Sequence, residues 1–169
     1  MRLLLALLAA PAFGAPYEIV LEGEEAVRIG TVEIADDGAY EVTLDRGRFE
    51  EHFLSMRPFK CVEGARLWCH MPWGYANARN VSGGMTDLEY DLIFVWKDAG
   101  DYGIDMWNGI YYRLEPDGAG WLGTLHEIDL NPLAVPPPPG EMRPIRDGWL
   151  HEGDPDLHPY PRLRIAPAP

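Results

Sequence analysis

Residues 27–44, VRIGTVEIADDGAYEVTL, decide the fold class because they carry a complete hairpin signal. Apolar and polar residues alternate in both halves of this segment, as they do in strands with one buried face. The turn sequence Asp36–Gly38 separates the halves, and its glycine supplies the positive φ angle that a short hairpin needs. In the first half the alternation changes parity across Gly30-Thr31, which predicts a β-bulge. The segment therefore predicts two antiparallel strands.

The same alternation recurs along most of the chain. It predicts an N-terminal strand at residues 17–21, a strand pair within 59–71, a central strand at 88–97 and a second hairpin formed by 110–114 and 121–130. One segment differs: Phe49, Phe53 and Met56 recur at helical spacing, so residues 48–56 are predicted to form a short amphipathic helix. We expect a mainly β fold, a single small barrel or sandwich of about seven or eight short antiparallel strands with one short helix.

The composition changes after residue 131. Eleven of the sixteen prolines lie from Pro132 onward, including the run Pro136–Pro139. Because proline lacks a backbone N–H, we expect this Pro-rich tail, residues 132–169, to make no central strand. It should extend over the mainly β domain, residues 15–131, or hang free of it. Four large apolar side chains indicate that part of it docks: Trp149, Leu150, Leu157 and Tyr160.

Residues 1–14, MRLLLALLAAPAFG, have the features of a secretory signal peptide. One positive charge precedes a short apolar run, and small residues follow at Ala12 and Gly14, which predicts cleavage near Ala15. The alternative, a buried N-terminal helix, is disfavoured because Pro11 and Pro16 would interrupt it. The apolar run is also too short to span a bilayer, so we expect no membrane anchor. The protein should be periplasmic or secreted.

The chain contains two cysteines, Cys61 and Cys69. In an oxidising compartment a pair this close is expected to form a disulfide, which would contribute about 2–3 kcal/mol to stability. The predicted strand pair would bring the two residues opposite each other, at a separation that suits a disulfide. A redox-active pair is the alternative, but such pairs usually have two intervening residues at a helix N-terminus, and this pair has neither.

Acidic residues outnumber basic ones by 27 to 14, which gives a formal net charge of −13. Such a surface repels phosphate backbones and anionic lipids, so nucleic-acid and membrane binding are disfavoured. Keeping an exported protein soluble is the simplest role for this charge. Three carboxylates lie close together at Asp98, Asp101 and Asp105, and calcium binding is an alternative role for them. Their spacing does not match an EF-hand loop, so we favour a solvated turn. We expect no metal site and no cofactor.

Aromatic residues are densest between Trp68 and Trp121. Those that alternate along predicted strands, Tyr90, Phe94 and Trp96, are expected to fill the core. Three others fall outside any strand period. Trp73 and Tyr75 lie in the glycine-rich segment 72–84, a long loop of the kind that is often functional, and Trp107 stands beside Asn108. These four residues, Trp73, Tyr75, Trp107 and Asn108, are the predicted ligand-binding residues.

No catalytic motif is evident. Neither serine, Ser55 or Ser82, has the glycine-flanked elbow of a hydrolase, and no histidine pair has metal-ligand spacing. We therefore expect a binding or accessory protein that recognises a small ligand or a protein partner. A hydrolytic or carbohydrate-active enzyme is the alternative, with carboxylates drawn from Glu89, Asp91, Asp101, Asp105 and Glu127. A third possibility is an assembly protein, which would show a flat apolar patch or an open strand edge.

Overall fold

The computed structural model describes residues 14–55 and 58–169. Apart from Gly14, the predicted signal peptide lies outside the described residues. The strands are β1 (Tyr17–Glu22), β2 (Val27–Ile34), β3 (Tyr40–Leu44), β4 (Glu50–Phe53), β5 (Pro58–Val62), β6 (Arg66–His70), β7 (Phe94–Asp98), β8 (Gly109–Asp117), β9 (Gly120–Ile128), β10 (His151–Glu152) and β11 (Arg162–Pro167). The described residues contain one α-helix, α1 (Thr86–Asp91), between β6 and β7, and several short 3-10 turns.

The strands form one antiparallel sheet in the order β3-β2-β1-β11-β9-β8-β7-β6-β5-β4, and β10 pairs with β9 beside this path. The predicted mainly β class is confirmed, with eleven strands rather than about seven or eight. The three strands that sequence patterning missed are β4, β10 and β11. Among the described residues no helix is both long and apolar enough to cross a membrane.

The hairpin formed by β2 and β3 is as predicted. Ile34 pairs with Tyr40, and Gly38 between them has a φ of 85°. The bulge lies one residue before the predicted position. Gly30 pairs with Ile19 and Arg28 pairs with Val20, so Ile29 between them has no partner residue on β1. A bulge at this point turns β2 without removing its apolar side chains from the core.

The predicted helix at residues 48–56 is wrong. Residues Arg46–Arg48 form a 3-10 turn, and β4 follows and pairs with β5. The spacing of Phe49 and Phe53 was misleading because only Phe49 is buried, whereas Phe53 is 73% exposed. The two rings therefore do not share one buried helical face, which is what the pattern assumed.

The predicted central strand at 88–97 is correct only from Phe94 onward. Its first half is α1, in which Leu88 faces the main core together with Leu92, whereas Tyr90 packs into a second cluster. Apolar residues alternate here because the helix is buried on two sides. An alternation of this kind imitates the period of a strand.

The expectation that the tail makes no central strand is also wrong. β11 lies inside the sheet, paired along one edge with β1 and along the other with β9. Prolines stand at its borders, at Pro161 and Pro167, while Leu163 and Ile165 between them are fully buried. The high proline content of the tail as a whole concealed a proline-free strand interior.

The sheet curls around one main apolar cluster. Strands near opposite ends of the strand order contribute to it, for example Ile29 of β2 and Trp68 of β6, so the curvature is barrel-like. On the outer face of β7–β9 a second cluster gathers around Tyr90, Val95 and Tyr111. The predicted disulfide is confirmed: Cys61 and Cys69 pair directly across β5 and β6, with Cα atoms 3.9 Å apart.

Candidate functional site

The loop between β6 and α1 carries the two predicted aromatic residues that the structure brings together. The ring of Trp73 packs edge-on against Tyr75, with centroids 5.2 Å apart, and against Tyr90 of α1, with centroids 4.6 Å apart. Its indole nitrogen donates a hydrogen bond to the carbonyl oxygen of Ala76 at 3.2 Å. Trp73 is therefore half-buried and packs between the loop and α1, while Tyr75 lines a surface groove.

This groove, which we call the Tyr75 groove, has a volume of about 380 Å³ and is lined by Tyr75, Ala76 and residues 136–142 of the tail. The hydroxyl of Tyr75 donates to the carbonyl oxygen of Leu133 at 3.1 Å, which joins the loop to the tail. A volume of this size lies within the usual range of ligand sites, and the lining is mainly apolar. A second groove of about 220 Å³ shares Pro136–Pro138 with the first and extends to Trp149.

The other two predicted binding residues are located elsewhere. Trp107 and Asn108 belong to a 3-10 turn, Met106–Asn108, and neither lines the Tyr75 groove. The backbone N–H of Trp107 donates to the carboxylate of Asp105 at 3.0 Å, while its indole is 68% exposed. The four predicted residues thus fall into two separate groups.

Asp87 of α1 connects the loop and the tail to the helix. Its carboxylate is only 2% exposed; one oxygen lies 2.7 Å from the guanidinium of Arg143, and the other accepts from the backbone N–H of Asn80 at 3.2 Å. A buried carboxylate is tolerated only when it is paired in this way. Asp87 therefore fixes one residue of the loop and one residue of the tail to the same side chain.

Asp91, one helical turn later, holds the loop at a second point. It accepts hydrogen bonds from the hydroxyl of Tyr40 at 2.9 Å and the amide of Asn77 at 3.2 Å, and the guanidinium of Arg79 lies 3.4 Å away. Burial and the neighbouring Asp91 carboxylate raise the pKa of Tyr40 far above its usual value, so the phenol keeps its proton and acts as a donor.

His70 completes this network from β6. Its ring nitrogen Nε2 lies 2.8 Å from the backbone carbonyl oxygen of Asp91, which can only accept a hydrogen bond. Burial lowers the pKa of His70, so the neutral ring with a proton on Nε2 is the form that fits.

The loop backbone is strained at one residue. Arg79 has a φ of 50°, the only positive φ of a non-glycine residue in the described ranges. A left-handed conformation costs about 1–2 kcal/mol for a residue with a side chain. Two hydrogen bonds hold Arg79 in this conformation. Its N–H donates to the side-chain oxygen of Asn77 at 2.8 Å, and its carbonyl oxygen accepts from the N–H of Tyr40 at 3.0 Å. The network thus imposes the loop's shape.

Sequence reasoning missed this network for a specific reason. Asp87 and Asp91 are four residues apart, a spacing that puts both carboxylates on one face of a helix, but the strand predicted at 88–97 includes only Asp91 and excludes a helix there. Their oxygen atoms are occupied by the donors that hold the loop and the tail. The arrangement is suited to fixing a surface rather than to moving protons.

The carboxylates considered for an enzyme have separate partners. Glu89 is buried, accepts from the hydroxyl of Tyr111 and from the N–H of Leu114 at 2.7 Å, and has a pKa raised by burial. Glu127 lies 2.8 Å from Nε2 of His158, a pairing that sequence reasoning did not anticipate because His158 comes from the tail. The side chain of His158 is only 1% exposed.

The acidic cluster Asp98, Asp101 and Asp105 does not converge. Asp98 pairs with Arg66 at 3.2 Å, and Asp105 accepts from the backbone as described above. Buried Lys97 directs its ammonium to the carbonyl oxygens of Asp101 and Gly103, the latter at 2.9 Å, and so occupies backbone oxygens that a calcium ion would need. Within residues 14–55 and 58–169 no three His, Cys, Asp or Glu side chains are placed to hold a metal ion.

Comparison with known protein families, with characterised proteins and with solved structures finds no match to this chain.

Proposed function

We propose that this chain is an exported binding or accessory protein whose contact surface is the Tyr75 groove. The observation that carries the proposal is the double attachment at Asp87, which binds Asn80 of the loop and Arg143 of the tail to one buried carboxylate. The two sides of the groove are thereby held in register before any ligand arrives. A surface organised in advance loses less conformational entropy on binding.

The chemistry of the groove indicates what it would bind. Its lining consists of one tyrosine ring, proline rings and the Met142 side chain, with Glu141 as the charged residue. Aromatic and proline rings stack against flat apolar groups, and methionine adapts to irregular ones. The groove is therefore suited to an aromatic or otherwise apolar group, either on a small molecule or on the surface of a partner protein.

One structural feature supports export, and the charge limits the partners. The Cys61–Cys69 disulfide is typical of proteins that work in an oxidising compartment. The formal charge of −13 disfavours nucleic acid and anionic membranes as partners. The disulfide agrees with the signal peptide expected at residues 1–14.

The proposal can be tested by titrating the disulfide-bonded chain with indole as a minimal aromatic probe. We expect saturable shifts of the Met142 methyl resonance in ¹³C-¹H spectra. Tyr75→Ala should weaken this binding about fivefold or more, because it removes one wall of the groove. Tyr75→Phe, which keeps the ring, should retain most of it.

Trp107→Ala is the matched control, since Trp107 is exposed and lies outside the groove. Its indole affinity should equal that of the unsubstituted chain, and all variants should keep the same thermal midpoint within a few degrees. The proposed contact surface is wrong if indole shifts are linear at all concentrations, or if Trp107→Ala weakens binding while Tyr75→Ala does not.

The enzymatic alternative has one observation in its favour, the contact between Glu127 and His158. A carboxylate and a histidine in contact resemble an acid–base pair. Because the imidazole is almost fully buried, a substrate would reach it only if the tail moved. Glu127→Gln should leave indole binding unchanged, and a hydrolytic activity that disappears in this variant would favour the enzyme instead.

A further inference from the structure

The proline run beside the Tyr75 groove has a conformation set by its own chemistry. Each proline fixes its φ near −65°, and each residue that precedes a proline is confined to extended backbone. Val135, at the start of the run, has a φ of −98° and a ψ of 130°. Pro136–Pro139 therefore form a stretch of polyproline II helix, about 3.1 Å long per residue, which needs no hydrogen-bond partners of its own.

The run is anchored on both sides. Before it, the carbonyl oxygen of Leu133 accepts from Tyr75, and after it the chain reverses in a turn in which the N–H of Glu141 donates to the carbonyl oxygen of Pro138 at 3.0 Å. Gly140 has a φ of 88°, the value that the third position of a type II turn requires, and Pro139 precedes it in the position that favours proline. The proline run and the turn after it, residues 136–141, thus form one segment that is fixed at both ends, which we call the arch.

The returning chain is attached to α1. Arg143 pairs with buried Asp87 at 2.7 Å, and the backbone N–H of Ile145 donates to the hydroxyl of Tyr90 at 2.7 Å. The chain after the proline run is therefore fixed to α1 at two points, and the chain before it is fixed to Tyr75 of the β6–α1 loop. A segment that only connected two strands would not need this number of attachments.

The outer side of the arch is apolar and uncovered. Three of its four prolines are exposed, Val135 is 71% exposed, and Trp149 and Met142 are both about a third exposed. Each of the two grooves described above has the prolines 136–138 as one of its walls. The run therefore borders two depressions with mainly apolar linings, and aromatic rings of a partner can pack into such depressions beside prolines.

We infer that Pro136–Pro139 is a recognition segment that docks into an aromatic-lined groove of a partner protein, with the partner's rings entering the two depressions that border the run. This inference rests on the proposed function and names its partner class. Protein domains with aromatic-lined grooves bind polyproline II segments in this way, because the preformed helix loses little conformational entropy on binding.

Charge narrows the choice of occupant. The chain carries a formal net charge of −13, so a second copy of it would be repelled, whereas a partner with a basic rim would be attracted. The arch also has no free N–H groups in its proline run to extend a β-sheet, which disfavours strand addition. A separate protein with aromatic rings and a basic rim fits both conditions.

The test uses purified SH3, WW and EVH1 domains, three kinds of module that bind proline-rich segments in aromatic-lined grooves, each titrated calorimetrically into the disulfide-bonded chain. We expect at least one to bind with a dissociation constant of about 1–100 μM, more weakly at high salt. Pro137→Ala combined with Pro138→Ala should weaken it about tenfold. A control variant combines Pro116→Ala and Pro155→Ala, at two exposed prolines elsewhere in the chain, and should bind the domain as tightly as the unsubstituted protein does.

A synthetic peptide of residues 134–142 should compete for the same domain, with lower affinity because it lacks the frame that fixes the arch. The inference is overturned if none of the three domains binds, or if the Pro137 and Pro138 substitutions leave affinity unchanged. The indole titration separates the two proposals. Saturation of the Tyr75 groove without binding of any domain overturns this inference alone, and failure of both titrations overturns the proposed function as well.

Discussion

Asp87 and Arg143 form an ion pair in which the carboxylate is 2% exposed and the guanidinium 47% exposed, with 2.7 Å between the charged atoms. The pair joins α1 to the tail at the point where the tail forms one side of the Tyr75 groove. An asymmetric pair of this kind depends on its exposed member, because the buried carboxylate has no water to replace a lost cation.

Arg143→Ala should accordingly lower the free energy of unfolding by about 1–3 kcal/mol, because it leaves Asp87 buried with one hydrogen bond in place of an ion pair. Arg146→Ala is the control, since Arg146 pairs with Glu141 near the surface and should contribute less than about 1 kcal/mol. Urea unfolding at neutral pH measures both values. Equal losses for the two variants would contradict the assigned role of Asp87.

The central position of β11 gives a second expectation. Leu163 is fully buried between β1 and β9, so Leu163→Ala should destabilise the protein by about 2–4 kcal/mol. Leu157→Ala, in the same tail but with a 60% exposed side chain, should change stability by about 0.5 kcal/mol or less. Thermal or urea unfolding distinguishes them. A tail that hangs free would give small effects at both positions.

The Cys61–Cys69 disulfide can be tested chemically. Replacement of both cysteines by alanine should cost about 2–3 kcal/mol, chiefly through the greater freedom of the unfolded chain. Before substitution, thiol labelling of the denatured but unreduced protein should modify neither cysteine, and labelling after reduction should modify both. Labelling without reduction would show that the bridge is absent.

Glu89 makes stability depend on pH in a defined direction. Burial raises the pKa of its carboxyl above the ordinary 4.5, so the folded state holds the proton more tightly than the unfolded state does. This contribution is therefore present at low pH and is lost as pH rises from 4.5 through the raised pKa. Glu89→Gln keeps an acceptor for the N–H of Leu114 and does not titrate.

The stability of Glu89→Gln relative to the unsubstituted protein should therefore improve as pH rises across this interval. Urea unfolding of both proteins at several pH values between 4.5 and neutrality measures the difference. A difference that is constant with pH, or that changes in the opposite direction, would show that Glu89 is as well solvated in the fold as in the unfolded chain.

Local signals account for the parts of the fold that the sequence predicted. The β2–β3 hairpin depends on neighbouring residues and a glycine turn, and the Cys61–Cys69 bridge on two strands joined by a short connection. The two larger errors arose where local pattern and burial disagree. α1 is buried on two sides and so lacks a single polar face, and β11 is a proline-free strand within a proline-rich tail.

The candidate site was predictable to a similar extent. Trp73 and Tyr75 stand out because they fall outside any strand period in a long loop; the structure packs their rings together, and Tyr75 lines a groove. The pairing of Asp87 with Arg143 could not be anticipated, because residues far apart in the chain meet only through the fold. Trp107 carried the same local signal as Tyr75 and lies elsewhere, so the signal alone does not identify a shared surface.

The location of β11 also determines when the sheet can be completed. Residues 162–167 are synthesised after the other ten described strands, yet they pair on one side with β1, the first of them. Until they emerge, β1 and β9 have unsatisfied backbone edges facing each other across a gap, and Ile19 and Leu21 lack part of their apolar cover. A chain in which residues 162–167 are not yet free to pair should therefore remain open to chaperones and proteases.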